Sequence, residues 1–140
     1  MGKNWSGARE TCLNVNSDLV SIKSEEENKF VVATFFIEDL AWIGLQLNVT
    51  AWSDGSNASY FAPTLQTAGP TKRDCYALNS TLQWFVIHCS SGLKQAVCKR
   101  MGLYKVLHNR AILSLDQFMP PLYFIIIPLS SFNSLEHNIY

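Results

Sequence analysis

The residues Trp42-Ile43-Gly44-Leu45 form the apolar block from which the fold of this chain can be argued. A short continuous apolar run of this kind predicts a compact buried strand. The stretch Trp52-Ser53-Asp54-Gly55-Ser56 follows it and predicts a strand end that runs into an Asp-Gly turn. We expect Asp54 to cap that turn, and we expect Trp42, Trp52 and Trp84 to lie in the core.

One helix and one short strand are predicted near the start of the chain. Trp5, Ala8 and Cys12 recur at intervals of three and four residues within 3–15, which is typical of the buried face of a helix. The apolar residues of Leu19-Val20-Ser21-Ile22 then predict a short strand.

A second helix is predicted between that strand and the Trp42 block. Ser24 followed by Glu25-Glu26-Glu27 matches a capping box, with acidic side chains at the positive end of the helix dipole. We expect the helix to end near Ile37. Its predicted buried face consists of Phe30, Val31, Thr34 and Phe35.

Three more strands are predicted after Arg73, and before them lies a long loop. The apolar runs within 75–78, 82–89 and 94–99 are separated by short turn sequences, so we predict an antiparallel meander. The preceding stretch up to Arg73 is mostly loop, and a loop of this length in a compact domain is usually functional or disordered.

Composition and charge exclude two classes of function. The chain has 140 residues, which suits one globular domain, and its eleven basic and eleven acidic side chains cancel to a formal net charge of zero. Without a positive surplus, the chain lacks the long-range attraction on which binding to a nucleic-acid backbone depends. We therefore expect no nucleic-acid partner and no polybasic membrane-surface role.

Cysteines and glycosylation sequons indicate a secretory compartment. The four cysteines form an even set without the Cys-x-x-Cys spacing of zinc and redox sites, which favours two disulfides, although the residues alone leave three pairings open. Asn-x-Ser/Thr sequons predict glycosylation at four asparagines. The cysteines are Cys12, Cys75, Cys89 and Cys98, and the asparagines are Asn4, Asn48, Asn57 and Asn79.

The start and the tail of the sequence differ from those expected of a secreted domain. No basic and apolar leader precedes the patterned sequence that begins near Lys3, so we expect a fragment or a truncated product. Residues 101–140 carry four charges and no cysteine, and three prolines interrupt their apolar stretch, which is too short to cross a bilayer. We expect this tail to be poorly structured, or to pair through 103–107 with the strand at 94–99.

The order of these features resembles the C-type lectin-like domain. A helix with Cys12, the Trp42-Ile43-Gly44-Leu45 block and three closely spaced cysteines ending at Cys98 occur in the family's order over about residues 3–100, and the style resembles one module of the mannose receptor group. The resemblance implies an α+β fold with two helices flanking short antiparallel sheets, a long loop region and two disulfides. It pairs Cys12 with Cys98 and Cys75 with Cys89. The family's first strand, which should precede Lys3, is missing.

The resemblance raises the question of calcium and sugar. Sugar-binding members of the family hold calcium with Glu-Pro-Asn or Gln-Pro-Asp in the long loop and with Trp-Asn-Asp in the next strand. Both triplets are missing here: the strand position is Trp84-Phe85-Val86, and Asp54 and Asp74 are the only carboxylates between Gln46 and Cys89. Calcium prefers six to eight oxygen ligands. We expect Asp74 to be structural, and we expect no cofactor.

No catalytic site is predicted. His88 and Cys89 are neighbours on a predicted strand and point to opposite faces, while His108 and His137 lie in the tail. The sequence has no paired-histidine zinc motif, no phosphate-binding glycine loop and no nucleophile elbow. The chain is therefore predicted to bind rather than to catalyse.

The sequence and the resemblance together predict a calcium-independent extracellular recognition module that binds a protein or glycoconjugate, with a multidomain membrane receptor as its parent chain. The long loop from Tyr60 to Arg73 is the expected binding surface, because binding modules place specificity in loops on a rigid support. The candidate ligand-binding residues are Phe61, Leu65, Lys72 and Arg73. A calcium-dependent carbohydrate-binding domain and a truncated receptor fragment without independent function are the alternatives.

Overall fold

The computed structural model describes residues 2–35, 37–66 and 73–100, together with the backbone of 124–128. Two helices and seven strands occur in these residues. The helices are α1 (Trp5–Leu13) and α2 (Glu25–Thr34), and the strands are β1 (Ser17–Leu19), β2 (Ala41–Gln46), β3 (Thr64–Gln66), β4 (Asp74–Leu78), β5 (Trp84–His88), β6 (Gln95–Arg100) and β7 (Phe124–Pro128).

Helix α1 lies within the predicted span 3–15 and begins two residues later than predicted, at Trp5. The side-chain oxygen of Asn4 accepts a hydrogen bond from the backbone N–H of Gly7 at 2.8 Å, so Asn4 is the N-cap. Trp5, Ala8 and Cys12 are buried, which confirms the predicted helical face.

Helix α2 has the predicted cap but ends three residues before the predicted end. The hydroxyl of Ser24 accepts from the N–H of Glu27 at 3.1 Å, while the Glu27 carboxylate accepts from the N–H of Lys23 at 2.7 Å. Phe35 leaves the helical conformation, with φ −113° and ψ 138°, and this extended backbone leads to Ile37, which is buried in the core. The prediction of a helix to Ile37 was therefore wrong.

The predicted buried face of α2 is only partly correct. Val31 is fully buried, and Phe30 and Phe35 pack against the core with part of each ring exposed, whereas Thr34 is exposed. The helix buries Asn28 instead, one of only two residues that it buries completely.

The strands form one mixed sheet in the order β1-β6-β2-β4-β5-β3, and β7 pairs with β6. Strands β4 and β5 form the predicted antiparallel hairpin. One edge of β6 pairs with β2, to which it is parallel, and with β1, to which it is antiparallel, and the other edge pairs with β7. The predicted meander was therefore wrong for β6, which does not pair with β5.

Backbone hydrogen bonds near the start of the chain explain where β6 lies. Lys3 and Leu93 exchange two N–H to carbonyl bonds of 2.9 and 3.0 Å, and the N–H of Trp5 donates to the carbonyl of Cys89 at 3.0 Å. The connection after β5 is therefore bound to the segment before α1 and leads the chain away from β5.

The predicted strand at 19–22 lies two to three residues too late. Strand β1 covers Ser17–Leu19 and pairs with the end of β6. Val20 lies beyond the strand and is buried, and its N–H still donates to the carbonyl of Val97 at 2.8 Å.

Two disulfides join the elements as the resemblance implies. Cys12 is bonded to Cys98, which ties α1 to β6 across 86 residues of sequence, and Cys75 is bonded to Cys89 across 14. A loop-entropy estimate attributes about 4 to 5 kcal/mol of stabilisation to the first closure and about 3 kcal/mol to the second. The two disulfides in the structure confirm both pairings that the resemblance implied.

Strand β7 adds to the outer edge of β6. Its five residues pair antiparallel with Gln95 to Lys99, so a segment of the tail lies on the strand at 94–99. The hypothesised partner at 103–107 lies outside the described residues. Within the described part of the chain, neither helix is long and apolar enough to cross a membrane.

Candidate functional site

The long loop is anchored on an aromatic base centred on Trp84. The Trp84 ring is fully buried, and the ring of Tyr60 meets it edge-on with centroids 5.7 Å apart. Phe61 lies 6.2 Å from the same ring and 6.4 Å from Tyr76. Trp52 completes the group at 5.7 Å from Trp84, also edge-on. Such edge-to-face pairs fix the relative positions of the rings.

Strand β3 lies within the loop and gives it a second attachment. It runs parallel to β5, so that Leu65 lies beside Phe85. The carbonyl of Pro63 accepts from the N–H of Trp84 at 3.0 Å. Residues 60–66 are thus held by backbone pairing as well as by ring contacts.

Two of the predicted ligand-binding residues, Phe61 and Leu65, are exposed apolar side chains of this loop. The side chain of Phe61 is 51% exposed and that of Leu65 is 47% exposed, although both belong to residue types that are usually buried. Phe61 rests on Tyr76 and Trp84 with part of its ring and presents the rest to solvent. Leu65 lies beside Phe85, which points to the opposite face of β5 from Trp84. We call Phe61 and Leu65 the apolar loop residues.

Of the other two predicted residues, only Arg73 can be placed. Lys72 lies outside the described residues. Arg73 is exposed, and its carbonyl accepts from the N–H of Cys89 at 2.8 Å, next to the end of β5. Because β5 lies between β4 and β3 in the sheet, Arg73 and Leu65 lie on opposite sides of β5.

Arg73 lies in a polar cleft instead. The cleft has a volume of about 350 Å³, and its lining includes Arg73, Asp74, His88, Ser90 and Asn4. The Nδ1 atom of His88 lies 2.6 Å from the Ser90 hydroxyl, so this imidazole is engaged by the turn that follows β5.

Asp54 caps the Asp-Gly turn, as predicted. Its carboxylate accepts from the N–H of Ser56 at 2.9 Å and from the Ser56 hydroxyl, and Gly55 has a φ of +86° that suits glycine. Partial burial alone would raise the pKa of Asp54, but hydrogen bonds from Ser56 and Ser21 and the charge of Lys23 hold that pKa below its usual value. The carboxylate is already occupied by donors within the domain.

The strand position for which the resemblance implies metal ligands in a sugar-binding domain is apolar here. Trp84 and Val86 are buried, and Phe85 is half-buried. The other carboxylate of this region, Asp74, is buried in β4. In residues 2–35, 37–66 and 73–100 no three His, Cys, Asp or Glu side chains are grouped so as to hold a metal ion.

A polar network that the sequence analysis missed holds the N-terminal helix against the turn. Arg9 donates to both carboxylate oxygens of Asp18 at 3.0 and 3.1 Å and to the carbonyl of Ser53 at 2.9 Å. Asp18 is buried and also accepts from the Ser53 hydroxyl at 3.0 Å and from the N–H of Leu19 at 2.8 Å. Only the isolated Asp18 before an apolar run could have hinted at this network.

The four sequon asparagines lie at the surface. Asn4, Asn48 and Asn57 are exposed, and Asn79 is half-exposed. Asn48 adopts a left-handed conformation with φ 62° in a turn, and the side-chain oxygen of Asn79 accepts from the N–H of Thr81 at 3.0 Å. Glycosylation at these positions stays a prediction.

Comparison with known proteins agrees with the disulfide pattern and the sheet. The family profile described as "Lectin C-type domain" matches residues 1–100. The chain belongs to the C-type lectin domain family. Members of this family are non-enzymatic binding domains. The C-type lectin domains of receptors are extracellular.

Several curated relatives of this C-type lectin domain are receptors. The mouse low affinity immunoglobulin epsilon Fc receptor is 34% identical over 110 residues, covering 74% of this chain and 33% of the receptor. Human lymphocyte antigen 75 is 30% identical over 104 residues, covering 70% of this chain and 6% of that protein. The chain thus spans a third or less of the length of these two receptors.

Solved structures confirm the fold. The C-type carbohydrate-recognition domain of cow CD23, solved in the presence of a GlcNAc2Man3 oligosaccharide, is 29% identical with a TM-score of 0.60, covering 72% of this chain and 82% of that one. A calcium-independent type II antifreeze protein has a TM-score of 0.53 at 23% identity, covering 64% of this chain and 73% of that one, and at that identity it supports the fold alone.

Proposed function

We propose that this C-type lectin domain is a calcium-independent extracellular recognition module whose ligand is a protein, bound through the loop from Tyr60 to Arg73. The observation that carries the proposal is the exposure of two apolar side chains in this loop. Phe61 and Leu65 are exposed on a support fixed by Trp84 and by the pairing of β3 with β5. A protein surface supplies apolar partners for an aromatic and an aliphatic side chain of this kind.

The packing of Phe61 favours its use as an anchor for a partner. Residues that dominate protein interfaces are often aromatic, and a side chain already fixed before binding loses little conformational entropy. Phe61 contacts the Tyr76 and Trp84 rings, so its exposed part is held in place in the free domain. In the same loop, Arg73, together with Lys72 next to it in the sequence, provides positive charge for an acidic group of the ligand.

The residues present do not fit a calcium site of the kind that sugar-binding relatives use. Calcium requires several carboxylate or carbonyl oxygens that converge on one point. Asp54 accepts hydrogen bonds from Ser56, Asp74 is buried within β4, and residues 67–72 contain no acidic side chain. No step of the proposed recognition therefore uses calcium.

A thermal melt of the oxidised, secreted chain in calcium and again in chelator tests the metal part of the proposal. We expect one cooperative transition with the same midpoint in both conditions. A midpoint several degrees higher in calcium would mean that calcium binds the folded state, and it would favour the calcium-dependent carbohydrate-binding alternative. A broad transition without cooperativity would instead support the alternative of a fragment without independent function.

Binding of the fluorescently labelled chain to a panel of cultured cells tests the ligand class. We expect binding that trypsin treatment of the cells abolishes and that chelator leaves unchanged. Phe61→Ser and Leu65→Ser are expected to reduce it at least tenfold, which corresponds to about 1.4 kcal/mol. Leu13→Ser is the matched control, because Leu13 is 49% exposed on α1, outside the loop. Binding that survives trypsin but not glycosidase treatment would assign a glycan ligand instead.

The proposal extends to the setting of the domain. The two disulfides and four surface sequons support a secretory location, and we propose glycosylation at Asn4, Asn48, Asn57 and Asn79. The receptor relatives support a multidomain membrane receptor as the parent chain. Mass spectrometry of the secreted chain before and after deglycosylation measures the occupancy of each asparagine.

A further inference from the structure

The polar cleft between the start of α1 and the end of β5 has glycosylation sequons on two of its walls. Asn4 and Ser6, the first and third residues of one sequon, both line the cleft. Asn48, the first residue of another sequon, lies in the chain between the lining residues Leu47 and Val49. A sugar attached at either asparagine therefore begins beside this cleft.

Backbone hydrogen bonds fix the walls of the cleft relative to one another. The N–H of Trp5 donates to the carbonyl of Cys89 at 3.0 Å, and the N–H of Cys89 donates to the carbonyl of Arg73 at 2.8 Å. The N–H of Leu47, in the turn after β2, donates to the carbonyl of Asp74 at 2.9 Å. The start of α1, the end of β5, the start of β4 and the turn after β2 are held together in this way. The cleft is therefore already formed before anything binds in it.

The side chain of Asn4 caps the helix with one atom and can carry a sugar on the other. Its Oδ1 accepts from the N–H of Gly7 at 2.8 Å and caps α1. N-glycosylation bonds C1 of the sugar to Nδ2 in place of one hydrogen, and the lipid diphosphate that carried the sugar leaves with that proton. Because the cap holds the amide group in one orientation, the first sugar is attached at a defined point of the cleft lining.

The lining suits the first sugar of an N-glycan, which is N-acetylglucosamine. Its hydroxyl groups and acetamide need hydrogen-bonding partners, whereas its acetyl methyl group needs an apolar contact. The cleft volume of about 350 Å³ lies within the range of about 300 to 1,000 Å³ that is usual for small-molecule sites. Gln46, Arg73 and His88 provide polar groups in the lining. Leu47 and Val49 provide apolar contact.

We propose that the polar cleft is the binding site for the first N-acetylglucosamine of the chain's own N-glycan at Asn4. A sugar seated there covers Val49, which is otherwise 43% exposed. Arg73 has five N–H donors, so a hydrogen bond to the sugar leaves others for an acidic group of a ligand. The proposal rests on the glycosylation proposed at Asn4, and it is independent of the protein ligand and of calcium.

Hydroxyl-radical footprinting of the full-length chain, secreted from cells that make only high-mannose glycans, tests the site. Ser6→Ala removes the sequon and keeps the Asn4 cap, whereas Ser6→Thr keeps the sequon and is the matched control. We expect Val49 to be oxidised about threefold more slowly in the native chain and in Ser6→Thr than in Ser6→Ala, because a bulky sugar covers it. Leu13, which is 49% exposed on α1 and does not line the cleft, should be oxidised equally in all three chains.

Trimming the glycans distinguishes a seated first sugar from outer sugars that merely sweep over the cleft. An endoglycosidase that leaves one N-acetylglucosamine on each asparagine is expected to leave Val49 protected, since the seated sugar remains. Loss of this protection on trimming would overturn the proposal. Thr50→Ala removes the Asn48 sequon and should leave Val49 protected. Protection that is lost in Thr50→Ala but retained in Ser6→Ala would assign the cleft to the sugar of Asn48 and would also overturn the proposal.

Glycopeptide mapping of the same samples separates two kinds of failure. A native chain without sugar at Asn4 would overturn the proposed glycosylation at that position and the cleft assignment together. A native chain with sugar at Asn4, but with Val49 oxidised as fast as in Ser6→Ala, would overturn the cleft assignment alone. The binding of the chain to cells, which tests the protein ligand, is measured independently of both.

Discussion

The indole N–H of Trp84 donates to the side-chain oxygen of Asn28 at 3.0 Å, inside the domain. The amide nitrogen of Asn28 donates in turn to the carbonyl of Leu82 at 3.0 Å. The buried Asn28 side chain thus joins helix α2 to Trp84, whose ring contacts the aromatic residues of the loop. The orientation of Trp84, and with it the support beneath Phe61, depends on an amide 56 residues away in the sequence.

Replacing Asn28 should therefore destabilise the domain. Asn28→Ala leaves the buried Trp84 N–H and the Leu82 carbonyl without their partner, which costs about 2 kcal/mol of unfolding free energy and lowers the melting temperature by roughly 10 °C. Lys29→Ala, the neighbouring exposed position, should melt close to the native temperature. Thermal unfolding followed by circular dichroism measures both, and an unchanged midpoint for Asn28→Ala would contradict the structural role of this bond.

Much of the fold could be predicted because local pattern and chain order were sufficient. The face of α1 follows from the spacing of Trp5, Ala8 and Cys12, and the disulfide partner of Cys12 follows from the family's order. Asn28 could not be found in this way, because a polar residue in a helix is normally exposed and its partners lie far away in the sequence. Its burial depends on tertiary contacts alone.

The errors in the sheet have a similar origin. Strands that follow each other in sequence usually pair, so the predicted meander placed β6 beside β5. The two backbone hydrogen bonds between Lys3 and Leu93 instead hold the connection after β5 against the segment before α1. No sequence pattern predicts backbone hydrogen bonds of this kind. Of the described candidate ligand residues, Phe61 and Leu65 are both exposed in the loop, whereas Arg73 lies across β5 from Leu65, a separation that depends on the position of β3.

The buried carboxylate of Asp18 provides a second test. Asp18→Asn removes the ionic partner of Arg9 and turns an amide N–H₂ toward the guanidinium, so the free energy of unfolding should fall by about 2 kcal/mol or more. The Arg9 side chain is 37% exposed, so solvent screening limits the loss. Glu10→Gln, an exposed substitution on the same helix, is the control in urea unfolding. A loss for Asp18→Asn no larger than that control would show that the network does not stabilise the domain.

Gly44 in the apolar block should tolerate no side chain. A Cβ atom at this position would lie 2.6 Å from the Ser53 hydroxyl oxygen and 2.9 Å from the carbonyl of Leu19. Gly44→Ala is therefore expected to lower the unfolding free energy by about 1 to 3 kcal/mol through overpacking. Gly55→Asn is the comparison, because Gly55 has open space around it and asparagine tolerates its left-handed backbone. If the two variants melted at the same temperature, the close approach at Gly44 would not be limiting.

Asp54 should make the stability of the domain sensitive to acid. Its pKa in the folded domain lies below the ordinary value of 3.8, so the unfolded chain takes up the proton at higher pH than the folded chain. The stabilisation is then present above that ordinary pKa and is lost as the pH falls through the lower, folded value. Asp54→Asn should be less stable than the native chain near neutral pH and should approach it below about pH 3. Ser56→Ala keeps the carboxylate but loses one donor, so its curve should lie between the two. Urea unfolding as a function of pH measures this, and a constant gap between the native chain and Asp54→Asn down to low pH would contradict the assignment.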